Sequence, residues 1–198
     1  MGSKATAHSV AQLAAEEAMS PLLSAHRFRE AALAVAAFEA RQPLPRGIGI
    51  NWEKYDPTHS VVALEGIFSN VPGILRGVEP SALDTLRFAA AMMLLWGSGK
   101  PRRSWIARDF ATGTRFTGDQ AARMLLFAGF HARNIEQLRD FARFGGNPRA
   151  RIMTVGNGCD SCRQLSQQTY ALASIPELPH PNCTFPGGCR CSVTASMY

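Results

Sequence analysis

Five cysteines crowd the last forty residues of this chain: Cys159, Cys162, Cys183, Cys189 and Cys191, with His180 just ahead of the third. Thiolates and an imidazole at such spacings are zinc donors, and a structural zinc takes four N or S ligands in a tetrahedron. Cys159-Asp-Ser-Cys162 is a knuckle that supplies two thiolates from one turn. The other two must arrive from further along the chain, because a compact site closes a loop. The preferred set is Cys159, Cys162, Cys183 and Cys191, with Cys189 and His180 as substitutes. A Cys-x-Cys pair reaches one ion only with a tight bend, so one of Cys189 and Cys191 is expected to bind. Pro179, Pro181, Pro186 and Gly187-Gly188 keep the segment extended and turned, as ligand loops require.

Cys-x-x-Cys also marks redox sites, but here it does not follow a thioredoxin-like strand–helix unit. A catalytic zinc needs an open position and a nearby base. Glu177 and His180 are the only such candidates in the module. The chain has no Gly-x-Ser-x-Gly elbow and no His-Glu-x-x-His motif. The expectation is therefore a structural Zn2+ and no catalytic residues. An odd number of cysteines without an export signal argues against a disulfide scaffold, and a reducing compartment leaves thiols free for metal.

The tail resembles the C-terminus of Mu-type phage head-morphogenesis (minor head) proteins. The matching pieces are Cys159-Asp-Ser-Cys162-Arg163, Pro176-Glu-Leu-Pro-His-Pro-Asn-Cys183 and Cys189-Arg-Cys191, following a short strand. About forty residues are covered. The chain departs from the pattern in the inserted Thr184-Phe-Pro-Gly-Gly188 and in Leu165-Ser-Gln-Gln-Thr-Tyr170 after the knuckle. The resemblance implies a zinc-binding module of that type. The reading it supports is a non-enzymatic structural or assembly protein with a protein partner or self-assembly, in the cytoplasm, or in a virion if the chain is phage-derived.

The net charge of +6 is concentrated. Residues 97–151 carry 11 basic and 4 acidic side chains, while the flanking stretches are close to neutral. Nearly all of this charge is arginine, whose planar fork suits phosphate and carboxylate. The alternative function is accordingly nucleic-acid binding through the basic region 100–151. Residues 118–144 can be laid on a helix-turn-helix-like register with Gly129 at the turn. Arg102, Arg103, Arg108, Arg115, Arg133, Arg139 and Arg143 are the candidate contacts. The competing reading is a helical hairpin with a solvated basic face.

The elements around these residues should be mainly helical. We expect a helical domain over 1–147 and a small Cys-rich, zinc-stabilised module with short strands over 148–198. Helices are expected at Ala5–Ala18, from Ser20-Pro21 onward with Phe28, Ala31, Val35 and Phe38 facing the core, and from Glu79-Pro80-Ser81 to about Trp96. Residues 42–58 read as a long loop, and His59–Asn70 as either helix or strand. The helix near Trp96 is apolar nearly all round and should be central. Thr117-Gly-Asp-Gln120 is a capping box. Gly129 should interrupt the helix that follows, and Asn134 should restart it. Gly145-Gly146-Asn147-Pro148 ends it, and Arg151–Val155 is a strand. The longest apolar run, Phe88–Trp96, is too short to cross a bilayer. Met1-Gly-Ser-Lys-Ala-Thr6 matches an N-myristoylation pattern, with an ordinary start as the alternative.

Overall fold

The computed structural model describes residues 17–39, 57–96, 105–107, 109–154, 156 and 158–196. Six helices fall within them: α1 at 17–24, α2 at Phe28–Glu39, α3 at Pro57–Ser69, α4 at Pro80–Trp96, α5 at Gly118–Arg143 and α6 at Asp160–Ser166. Three strands accompany them, β1 at Arg149–Met153, β2 at Thr169–Ala171 and β3 at Ser192–Ser196. The protein is mainly helical, with a small sheet beside the cysteines. The N-myristoylation motif, most of the Ala5–Ala18 helix and most of the 42–58 loop lie outside the described residues.

α4 is the central element. Its run from Phe88 to Met93 is buried throughout. Ala89, Ala90 and Met93 join one apolar cluster, while Phe88, Ala91 and Met92 join a second on the opposite side. Apolar side chains on all faces leave a helix no stable position except between other elements. α2 covers one side with Ala31 and Val35, and Phe28 meets Phe88 at a ring separation of 6.0 Å. The side chain of Phe38 lies outside the described residues. α5 covers the other side and α3 borders both, with Leu64 in the α2-side cluster and Ile67 in the other, which resolves the ambiguous stretch at His59–Asn70 as helix.

Two boundaries differ from the sequence reading. Ser20-Pro21 does not open a new helix but lies within α1. The break comes at His26, in the left-handed region at φ 55°, where Arg27 N donates to Leu22 O at 2.8 Å and His26 N to Leu23 O at 3.0 Å. This is a Schellman ending without the usual glycine, so it leaves little trace in the residue types. β1 likewise starts two residues before Arg151.

The larger correction concerns Gly129. α5 runs unbroken for 26 residues through Gly129 and Asn134, so no helix-turn-helix forms. Gly129 faces α3, and a Cβ there would lie 2.6 Å from the carbonyl oxygen of Ala63 and 2.7 Å from Ile67 Cγ1. Its lack of a side chain serves a close helix crossing, not a turn. The helix starts at the expected capping box, with both Thr117 and Gln120 exchanging side-chain and backbone bonds. It stops where Gly146 N donates to Phe141 O at 3.2 Å.

β1 is the middle strand of an antiparallel sheet ordered β2-β1-β3. Ile152 and Val193 are opposite each other and buried, and both belong to the same apolar cluster as Leu125 and Leu138 of α5. The tail therefore packs on the helical part through a common core. Asn134, instead of restarting a helix, donates from Nδ2 to Val193 O at 2.8 Å and ties α5 to β3. No helix among the described residues is long and apolar enough to cross a membrane.

Candidate metal centre

Three chain segments carry the cysteines to one place. Cys159 immediately precedes α6 and Cys162 lies in its first turn. Cys183 closes a turn in which its N–H donates to His180 O at 3.0 Å. Cys189 and Cys191 lead into β3. The last turn depends on Gly188, at φ 79°, where a Cβ would stand 3.0 Å from the sulfur of Met124 on α5. The helical part thus sets the position of the final cysteines.

The five Sγ atoms form two triads, Cys159–Cys162–Cys183 and Cys162–Cys189–Cys191, each with all sulfurs within 4.8 Å of one another. Cys162 belongs to both. Cys159 and Cys183 are 3.6 Å apart, without a disulfide. Four of the five are buried, and Cys159 is partly exposed. They line a small cavity of about 10 Å3 with Gly158, Phe185, Gly188 and Arg190.

The thiols cannot all ionise together. Cys189 is drawn down to about 5, first by the Cys191 thiol and then, against the cost of burial, by the N–H groups of Cys191 and His180. Cys191 is driven far upward, because its proton is held toward Cys189 and it is buried. Burial pushes Cys183 up to about 11 and raises Cys162 as well. Burial also opposes ionisation of Cys159, yet the N–H groups of Cys162 and Thr184 and the thiols of Cys162 and Cys183 bring it to about 7. Packed thiolates repel one another in a low dielectric, and a divalent cation among them removes that conflict. An all-sulfur donor set suits zinc and softer metals. The cluster fits a metal ion.

His180 stands differently from the cysteines. Its imidazole joins neither triad, and it serves the cluster by donating its backbone N–H to Cys189 Sγ at 3.2 Å. Glu177, the other candidate base, accepts the Gly73 N–H at 2.5 Å on the α3–α4 connection. Beside it is a cleft of about 490 Å3 that includes His131, Glu136 and Arg139. Burial lowers the His131 pKa, with Glu177 opposing.

Arg115 has a place the residue types did not suggest. A candidate phosphate contact from the sequence, it donates to the backbone oxygen of Cys183 and lies over the Phe116 ring at 4.7 Å. Gln120 similarly donates to Pro186 O at 3.1 Å. These bonds link segments more than sixty residues apart, so no local pattern announces them. The other described candidate arginines also make contacts within the fold. Arg133 stacks on Phe130 at 5.0 Å, Arg139 pairs with Glu136 at 3.1 Å, and Arg143 pairs with Asp140 at 2.5 Å. Arg102, Arg103 and Arg108 lie outside the described residues.

Comparison with family models, curated proteins and solved structures finds no match to this chain.

Proposed function

We propose that this chain is a non-enzymatic structural or assembly protein whose C-terminal module is held together by one zinc ion. The convergence of all five thiols from three segments on one small cavity carries the reading. Zinc there would neutralise the thiolates and cross-link the start of α6, the Cys183 turn and the approach to β3. The chain's own residues supply the rest: Arg115 holds the Cys183 backbone, the His180 N–H points at Cys189, and Met124 supports Gly188. Tethering of this kind contributes folding energy directly, since the ligands are brought together only in the folded state.

Two observations support the assembly half. The tail resembles the Mu-type head-morphogenesis module in its cysteine, histidine and proline pattern. In addition, Phe144 is 90% and Phe141 59% exposed at the end of α5, beside a groove formed with β3. Clustered exposed apolar side chains are characteristic of surfaces that bind another protein.

The test has two parts. Elemental mass spectrometry of protein purified without added zinc should find one zinc per chain, lost in Cys159→Ser. No metal and an intact fold would sink the zinc reading. Light scattering over a range of concentrations should then show association that Phe144→Ser weakens. A monomer throughout, with no co-purifying protein, would overturn the assembly reading alone.

A further inference from the structure

A tetrahedral ion has four positions, and this site offers five sulfurs. The Cys159–Cys162–Cys183 triad can supply one face of a tetrahedron. Its Cys159–Cys183 separation of 3.6 Å is close to the edge of about 3.8 Å that Zn–S bonds of about 2.3 Å require. Only one vertex remains. Cys189 and Cys191 both lie within 4.8 Å of Cys162 and of each other, and both are buried at 1% and 4% exposure. No group of four described sulfurs meets that mutual distance, so neither cysteine is yet seated with the whole first triad. The cavity of about 10 Å3 between them matches the size of a single ion.

Resting on the zinc reading, we infer that Cys189 and Cys191 alternate as the fourth ligand of a single ion, with Cys159, Cys162 and Cys183 constant. One thiol is a built-in replacement. In the exchange, a zinc–sulfur bond forms to the incoming cysteine as the bond to the other breaks. The incoming thiol's proton passes to the departing thiolate, so the charge of the site is unchanged. Only Arg190 separates the two, so the motion is a local rearrangement of the Cys189-Arg-Cys191 turn. Backbone support exists for the Cys189-bound form in the His180 N–H, while Cys191 directly precedes β3. A spare ligand makes metal retention tolerant of losing either sulfur and gives the ion an exchange route that a closed four-cysteine site lacks.

The experiment uses the full chain loaded with zinc, and separately with cadmium-113. Cys189→Ser and Cys191→Ser should each retain one zinc per chain, the double variant should lose it, and Cys162→Ser should lose it alone. Because a variant can fail to fold, the wild type provides a second readout. Scalar coupling from cadmium to cysteine Hβ protons should be full for Cys159, Cys162 and Cys183. It should be shared between Cys189 and Cys191, either averaged on one resonance or divided between two fractional ones. Coupling to just one of that pair, or metal loss in just one single variant, would overturn the exchange and leave the zinc reading intact. Two metal ions per chain would also overturn it, in favour of Cys162 as a bridge between the triads. Wild-type protein without metal would remove the zinc reading and this inference together.

Discussion

Gly129 on α5 lies directly beneath Ala63 on α3, so that a methyl group added to it would sit 2.6 Å from the Ala63 carbonyl oxygen. Opposite it, a methyl on Gly66 would meet Ala132 Cβ at 2.6 Å. The two helices cross at a distance that side chains forbid. Gly129→Ala should therefore destabilise the protein by about 1–3 kcal/mol, the usual range for overpacking. Helix propensity alone favours the same change by about 1 kcal/mol. Urea unfolding decides between the two signs, and a more stable variant would show that the crossing can open.

The Asn134–Val193 bond couples helix to sheet. Asn134→Ala removes a donor and leaves a half-buried carbonyl without it, at a cost of about 1–3 kcal/mol. Asn134→Asp should cost more, since a carboxylate oxygen would face the Val193 oxygen. Hydrogen exchange should show the loss most clearly at β3 amides. Uniform loss across α4 and β3 would mean that the bond has no local role.

Arg115 should matter to metal retention without touching the metal. Arg115→Ala frees the Cys183 backbone, and loss of such an outer contact typically weakens metal binding about 10–100-fold. Competition against a chromophoric chelator measures this. Affinity equal to wild type would assign Arg115 to surface solvation instead.

His131 makes the protein acid-sensitive. Burial lowers its pKa from the ordinary 6.5, with the Glu177 carboxylate partly opposing. The native state therefore binds this proton less readily than the unfolded chain does. Its contribution to stability is present above pH 6.5 and is lost as the pH falls through the native value. His131→Asn should flatten the fall in melting temperature between pH 7.5 and 5.5. Metal release adds a separate acid limb, because thiolates must be protonated as zinc leaves. Recording the difference in metal-free protein isolates the histidine, and an unchanged slope would exclude it.

Elements with local chemical punctuation were legible from the residues. The capping box at Thr117, the proline start at Pro80, the all-round apolar character of α4 and the glycine stop after Arg143 all act within a turn or two. The cysteine cluster was legible as a set for the same reason: the spacing of Cys159 and Cys162 forces two thiols onto one turn, and the rest lie in one turn-rich segment. His26 was not legible, because a left-handed histidine is tolerated only where its neighbours' bonds demand it.

By itself, then, the sequence determined a helical chain with a sulfur-rich tail and marked most helix ends, since capping and periodicity are local energies. Tertiary structure alone decided what Gly129, Asn134 and Arg115 are for. As local signals they read as a turn, a helix start and a phosphate contact. Packing assigns the first two instead to a helix crossing and a strand anchor, and it uses Arg115 as a backbone clamp behind Cys183. The physical reason is that each makes its decisive contact with a residue about sixty positions away, and burial of that contact outweighs the weak local preference.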